Sequence, residues 1–282
     1  TDRAKMRAEI SRVFPGNEKG LDAFYALEGK RFKTLFPCLQ KEYGNLLTFL
    51  HPTLIKAAPA LSLGQSLYDN LGRYFSDDDL KLCFTFQSKY LGMSPWKCPA
   101  LFTILSYMEH AFGVAHVMGG LNRISAAMAD VFQELGGDLH LGSEVDEIIV
   151  ENRTARGVRL AGGEKVEADA VFVNADFAYA MTELVDQRHL KKYTAHNLLK
   201  KQYSCSTFML YLGLKKRYPL NHHTIYFAKD YHANIDDIFY AKRLSDDFSF
   251  YVQNACVTDP SLAPEGKSTM YVLVPVPNNF SG

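Results

Sequence analysis

The 282-residue chain has no excess of charge and no cysteine motif. Lysines and arginines together number 31, and so do aspartates and glutamates, so no overall field of one sign predicts binding to nucleic acid. The five cysteines form no C-x-x-C pair and are odd in number, which predicts reduced thiols in a cytoplasmic protein.

Long apolar runs are also missing. The least polar stretch, 46–63, is interrupted by His51, Pro52, Lys56 and Pro59, and no secretory signal peptide is recognisable, so the sequence predicts no membrane-spanning helix. The apolar pieces beside these residues are compatible with core helices or with helices that lie in a membrane interface.

Two kinds of catalytic site find little support. The sequence contains no G-x-S-x-G, the turn that presents a serine nucleophile in one large class of hydrolases. His222 and His223 lie near His232 and the acidic pair at 236–237, but neighbouring residues of a strand point to opposite faces, so the sequence predicts no metal site. The acidic run at 77–79 is explained as a helix start, where carboxylates suit the helix dipole.

The most distinctive pattern spans residues 119–176. It opens with Gly119 and Gly120 and continues with apolar residues three or four positions apart, which predict an amphipathic helix that ends at Gly136-Gly137. The apolar face of this helix consists of Leu121, Ile124, Ala127, Met128, Val131, Phe132 and Leu135.

Strand-like residues follow this helix. Leu139 and Leu141 alternate with polar residues, and Val145, Ile148 and Val150 precede a turn. The run 156–160 then predicts the second strand of a hairpin, and the apolar run 166–173 predicts a final strand.

This layout resembles the phytoene-type carotenoid desaturases of the flavin amine oxidase superfamily. The resemblance rests on four patterns in order, GG-L-x-x-I-x-x-A-M, GG-x-L-x-L-x-S-x-V-x-x-I, A-x-G-V-x-L-x-x-G and A-D-x-V-x-x-N-A-D. The stretches 208–214 and 259–277 are similar to further segments of the same family. The likeness therefore extends over most of the chain.

The resemblance implies FAD as cofactor, a lipophilic isoprenoid or polyene as substrate, peripheral membrane contact and no metal. It also implies that the main chain of Val145 meets the adenine of FAD. Asn174 and Ala175 follow as flavin contacts at the carboxyl end of the last strand, with Gly119 and Gly120 third. It names no catalytic side chain, because the flavin accepts the hydrogen while the protein orients the chain and excludes water.

The remaining sequence divides by its pattern. Helices are predicted at 18–36, 54–61, 66–75, 80–90 and 100–111, in a region rich in aromatic residues. After a helical stretch at 178–199, strand-like runs at 206–214, 224–227, 248–255 and 269–276 predict a mostly antiparallel sheet.

We therefore predict an α/β (α+β) fold in which a substrate domain is discontinuous. Its helical part is 1–111 and its sheet-rich part is 178–282. Between them, 112–177 is the adenine-side part of a partial, Rossmann-like FAD-binding domain.

Two departures from the family bear on function. Residues 113–120 lack the family's aromatic-Pro-basic approach to the glycine pair, so substrate contacts there are not carried over. No G-x-G-x-x-G is present, and the family's C-terminal glycine-rich flavin segment is missing too. We expect an internal fragment of a longer desaturase that is inactive alone and binds FAD weakly. A flavin amine oxidase-like enzyme, or a noncatalytic module that binds hydrophobic ligands or membrane surfaces, are the alternatives.

Overall fold

The computed structural model describes residues 2–278, apart from the side chains of Leu46 and Tyr90. These residues divide into two compact units. One, which we call the cavity unit, comprises 2–116 and 204–278, and the other, the hairpin unit, comprises 117–203. The hairpin unit extends to 203, and Ala180 and Leu184 pack against Ile148 in its core.

Helices build the first part of the cavity unit, and side-chain caps begin several of them. The Asp2 carboxylate accepts from the backbone N–H of Ala4 and Lys5, and Ser66 forms a capping box with Asp69; both satisfy N–H groups that a helix leaves unpaired. The α-helices are α1 (Arg3–Val13), α2 (Glu18–Leu39), α3 (Pro52–Ala57), α4 (Leu67–Leu71), α5 (Asp78–Cys83) and α6 (Thr103–Phe112). The 3₁₀ segments between them are Leu46–Leu50, Ala58–Leu61, Phe86–Leu91 and Ala100–Phe102.

The helix predicted at 80–90 is divided. Asp77 caps its start as expected, with its carboxylate 3.0 Å from the Leu80 nitrogen, but α5 ends at Cys83 and a 3₁₀ segment follows. The Phe84 carbonyl accepts from the Ser106 hydroxyl at 2.9 Å, and the Ser88 N–H bonds instead to the Thr85 carbonyl. The bond from Ser106 thus occupies the Phe84 carbonyl, which a continuous α-helix would pair with the Ser88 N–H, and the α-helix ends here despite the helical pattern.

Aromatic side chains form the centre of the helical core. Phe24 is fully buried, and its ring centroid lies 4.9 Å from that of Phe84 and 6.2 Å from that of Phe75. The edge-to-face arrangement of Phe24 and Phe84 is a favourable geometry for aromatic pairs. The aromatic density in the sequence therefore serves the core at these positions.

A buried polar cluster lies beside this core. The Glu28 carboxylate, with no exposed surface, accepts from Arg31, Asn70 and Tyr74. Arg31 also donates to the Ser62 hydroxyl at 2.7 Å. Each charge in the cluster is thus paired, as burial requires.

The hairpin unit starts with helix α7 (Asn122–Glu134), as predicted. A three-stranded antiparallel sheet follows, in the order β1 (Val145–Glu151), β2 (Thr154–Leu160) and β3 (Lys165–Glu167). The unit ends with α8 (Phe177–Tyr179), a π-helical turn (Ala180–Leu184), a 3₁₀ turn (Gln187–His189) and α9 (Ala195–Leu198).

Three predictions for this unit were wrong in extent. The strand predicted at 166–173 pairs only as β3, and no strand forms at 139–141 among the described residues. A strand needs a neighbour for its backbone hydrogen bonds, and these segments meet none within the described chain. The helix predicted at 178–199 is interrupted at Val185, which has an extended backbone, and resumes only at α9.

Most of the apolar face of α7 is exposed within the described chain. Met128 is 68% exposed and Leu135 83%. The amphipathic pattern thus correctly predicted a helix, while its apolar stripe contacts little of residues 2–278.

The second part of the cavity unit is a four-stranded antiparallel sheet in the order β4-β7-β6-β5. Its strands are β4 (Ser206–Leu214), β5 (His223–Tyr226), β6 (Phe250–Gln253) and β7 (Ser268–Val276), with α10 (Tyr231–Asp236), a π-helical turn (Asp237–Ala241) and 3₁₀ turns Ala255–Val257 and Pro260–Leu262 around them. The predicted combination of helices with a mostly antiparallel sheet is confirmed. Within residues 2–278 no helix is long and apolar enough to cross a bilayer.

Candidate functional site

One face of the four-stranded sheet borders a cavity of about 380 Å³ inside the cavity unit. Register places Ile225, Tyr251 and Leu273 side by side on three adjacent strands. Because side chains two apart share a face, His223, Tyr271 and Pro275 line the same wall. The other lining residues are Phe86, Lys89, Glu109, Val114, Cys205, Thr207, Phe227, Ser249 and Phe250.

The wall is mainly apolar and carries few polar groups. The Nδ1 of His223 lies 2.5 Å from the hydroxyl of Tyr251, so one of these groups donates to the other. Glu109 accepts from the side-chain amide of Gln87 at 2.8 Å. Such an arrangement, apolar with a few placed polar groups, is typical of a small-molecule site.

Lys89 stands out among the polar residues of the cavity. Its Nζ lies 4.9 Å from the centroid of the Tyr231 ring, a cation–π distance. Burial lowers the pKa of this amine to about 8, against the opposing influence of Cys205. Burial likewise raises the pKa of the Cys205 thiol.

Three histidines meet at the edge of this wall. The rings of His222 and His223 stack with centroids 4.3 Å apart, and the His116 ring lies 5.1 Å from that of His222. Burial, followed by the charges of the neighbouring histidines, lowers the pKa of His222, and burial followed by His116 lowers that of His223. His116 also lies 3.3 Å from the fully buried carboxylate of Asp259.

The expectation that His222 and His223 point to opposite faces was wrong. His222 precedes β5, so strand alternation does not apply to it. His232 instead lies against Trp96, with ring centroids 4.3 Å apart, and contacts Asp236 at 3.3 Å. Among residues 2–278 no three histidine, cysteine or acidic side chains are grouped as metal ligands.

The residues predicted to contact FAD all lie in the hairpin unit, on separate elements. Gly119 and Gly120 both have left-handed φ angles, 86° and 96°, just before α7. Val145 is the first residue of β1, opposite Leu160. Asn174 and Ala175 are exposed and precede Asp176, which caps α8.

These positions are compatible with main-chain contacts to a cofactor. A non-glycine residue at 119 or 120 would be strained at these φ angles, and the Cβ that Gly119 lacks would lie 3.1 Å from the Arg123 side chain. The exposed backbone at Asn174 and Ala175 lies outside any described strand. Contact of these residues with FAD through backbone atoms stays a prediction.

Sequence reasoning missed the cavity residues. His223, Lys89 and Tyr251 are separated by long stretches of chain, and only the strand register brings two of them together. The available signal was the alternation of Tyr271, Leu273 and Pro275, which predicts a common face but does not say what lies opposite it.

Comparisons with known proteins identify the family of the chain. A model of the family "Flavin containing amine oxidoreductase" matches residues 56–279. A 4,4'-diapophytoene desaturase (4,4'-diapolycopene-forming) from Methylomonas sp is 58% identical over the whole chain, which covers 55% of that protein. A zeta-carotene-forming phytoene desaturase from Myxococcus xanthus is 40% identical over 97% of the chain and 52% of that protein.

A lycopene-forming phytoene desaturase from Pseudescherichia vulneris is 34% identical over 98% of the chain and 56% of its own length. The chain thus spans about half the length of the curated relatives it matches. A solved oxidoreductase from Methanosarcina mazei aligns with a TM-score of 0.55 at 20% identity, over 90% of this chain and 54% of that one; it supports the fold alone.

Proposed function

We propose that this chain, which belongs to the flavin-containing amine oxidoreductase family, supplies the substrate-binding wall of a carotenoid desaturase that dehydrogenates a long isoprenoid. The relatives that match it along nearly its whole length carry desaturase names. The apolar cavity on the sheet of the cavity unit is the observation that carries the proposal, because a hydrocarbon substrate has no polar group to bind.

The work of this chain's residues is positioning. Ile225, Leu273 and Phe86 offer an apolar wall on which a polyene precursor gains burial. Enclosure by these side chains holds the polyene precursor in one position and excludes water from its reacting carbons. When FAD, the cofactor that the family implies, is bound, it accepts the hydrogen removed from the polyene precursor.

The hairpin unit is proposed to hold the adenine side of FAD. Val145 meets the adenine through its main chain, Asn174 and Ala175 follow, and Gly119 and Gly120 come third. The 282 residues contain no G-x-G-x-x-G, so the proposal leaves the pyrophosphate to residues outside this sequence.

A segment exchange tests the desaturase proposal. Residues 1–282 replace the matching segment of the Methylomonas desaturase, and pigment formation from 4,4'-diapophytoene is followed by absorption after chromatography. Ile225→Trp fills the cavity and should lower the product at least tenfold with bound FAD unchanged, while Ile225→Leu, which conserves volume, should retain activity.

A folded, FAD-containing exchange protein that makes no desaturated product would contradict the proposal. Peroxide formation on addition of primary amines would favour an amine oxidase. Polyene binding without turnover would favour a noncatalytic binding module.

The proposal includes contact with the cytoplasmic surface of a membrane, where a lipophilic substrate resides. The segment between α2 and α4 exposes large apolar side chains that include Leu47 (77%), Leu50 (65%) and Leu63 (83%). Phe49 and Ile55 are also more than half exposed. Side chains of this kind bury readily in the headgroup region of a bilayer.

Vesicle sedimentation tests this surface. The chain should sediment with phosphatidylcholine vesicles, and Leu47→Ser combined with Leu50→Ser should lower the bound fraction at least fivefold. Val257→Ser, which removes an apolar side chain that is 53% exposed elsewhere in the same unit, is the control. Equal binding of the two variants would rule out this surface.

A further inference from the structure

Lys89 is a cation in the wall of an apolar cavity. It belongs to the 3₁₀ segment Phe86–Leu91, and its Nζ packs over the Tyr231 ring. Among the described residues no carboxylate oxygen lies within 4.0 Å of this nitrogen. A positive charge that is largely enclosed by apolar side chains and has no carboxylate partner is unfavourable, so the site makes the neutral amine easier to form than in an exposed lysine.

The described groups around Lys89 give its amine no ionic partner. Burial raises the pKa of the Cys205 thiol and of the Tyr231 phenol, so both stay neutral near pH 7. The Glu109 carboxylate accepts from Gln87. His223 and Tyr251 bond to each other, and Tyr271 lines the wall beyond them.

A neutral amine is a nucleophile. With its pKa lowered to about 8, Lys89 is about half deprotonated at pH 8, whereas an ordinary lysine is deprotonated in well under one part in a hundred. Lysines in apolar pockets react with carbonyl compounds for this reason. Phe86, Phe227 and Val114 surround the cavity with apolar surface that selects a carbonyl compound with an apolar body.

We propose that Lys89 captures apolar aldehydes in this cavity as a Schiff base. The amine lone pair forms the carbon–nitrogen bond, and the carbonyl oxygen leaves as water with the two amine protons. Nothing is oxidised or reduced in this condensation, so the step needs neither a flavin nor an oxidant. The inference goes beyond the desaturase proposal, because dehydrogenation of a hydrocarbon yields no aldehyde.

Reductive trapping tests the proposal on the 282-residue chain. All-trans-retinal is added at pH 8 with sodium cyanoborohydride, and the adduct is counted by intact mass and located by peptide mapping. We expect one adduct per chain, on Lys89, formed at least tenfold faster than on any other lysine. All-trans-retinol, which lacks the carbonyl, should give no adduct. The small aldehyde propanal gains little from the apolar wall, so its preference for Lys89 over other lysines should be weaker than that of retinal.

Variants separate the cavity from general lysine reactivity. Lys89→Met and Lys89→Arg should each reduce retinal labelling at least tenfold; the methionine brings no charge into the apolar cavity, and the arginine keeps the positive charge without a reactive amine. Lys97→Met, at an exposed position nearby, should leave labelling unchanged. Labelling spread evenly over exposed lysines, or undiminished in a folded Lys89→Arg protein, would overturn the proposal.

The trapping result is independent of the desaturase proposal. If the exchange protein desaturates diapophytoene while retinal fails to label Lys89, only the aldehyde proposal is refuted. Labelling of Lys89 in a chain whose exchange protein is inactive would sink only the desaturase function.

Discussion

Removal of the Glu28 carboxylate should destabilise the cavity unit more than any surface substitution. Glu28 Oε1 accepts from Arg31, Asn70 and Tyr74 at 2.8, 3.0 and 2.7 Å, and Oε2 accepts from Arg31 at 3.0 Å. Glu28→Ala leaves the buried guanidinium of Arg31 without a counter-charge. Breaking a buried ion pair in this way costs about 3–5 kcal/mol.

Further variants separate the contribution of the buried charge from that of the hydrogen bonds of Glu28. Glu28→Gln keeps the shape and one acceptor oxygen and loses the charge, so we expect a loss of about 2 kcal/mol. Glu28→Leu combined with Arg31→Leu removes both charges and should be less destabilising than Glu28→Ala alone, because no buried charge remains unpaired.

Urea unfolding followed by tryptophan fluorescence measures these effects. Trp96 is the only tryptophan of the chain and lies in the cavity unit, with its ring 5.2 Å from Tyr68, so it reports this unit rather than the hairpin unit. At about 2–3 kcal/mol per molar urea, Glu28→Ala should lower the midpoint by about 1–2 M. Glu9, in an exposed pair with Arg12, provides the control. The reasoning fails if Glu28→Ala shifts the midpoint no more than Glu9→Ala does.

Three further changes have defined outcomes. Burial lowers the pKa of His110 to about 4. Because the unfolded residue titrates near 6.5, the free energy of unfolding is greatest above pH 6.5 and should fall by up to about 3 kcal/mol as the pH drops toward 4. The urea midpoint should fall with it, and His110→Phe should make the midpoint less dependent on pH. Gly157→Ala places a Cβ 2.1 Å from the Val166 carbonyl oxygen, at a φ of 145°, so the backbone amides of β1–β3 should exchange hydrogen faster in this variant. Gly162→Ala, whose Cβ would have no atom within 4 Å, should leave their exchange unchanged. Phe24→Ala in the aromatic core should cost about 3–5 kcal/mol by the same fluorescence assay, and a loss below 1 kcal/mol would show that the core refills.

Much of the fold was predictable because it depends on local chemistry. The strand predicted at 206–214 matches β4, and Asp77 begins a helix as its side chain suggests. The cavity was not predictable, because it depends on which strands become neighbours. His223 and Tyr251 meet only because β5 pairs with β6 in one register, and the pairing of distant segments leaves no trace in either one.

The two outcomes within 119–176 have a common physical cause. Both α7 and the strand predicted at 166–173 carry apolar residues with little cover in the described chain; Phe172 is 96% exposed. The helix forms nonetheless, because its backbone hydrogen bonds are internal to the segment. The strand stops at Glu167, where its pairing with β2 ends, because each further hydrogen bond would need a second strand. Apolar periodicity therefore predicts which surface an element will bury, but only a helix can form before that surface is covered.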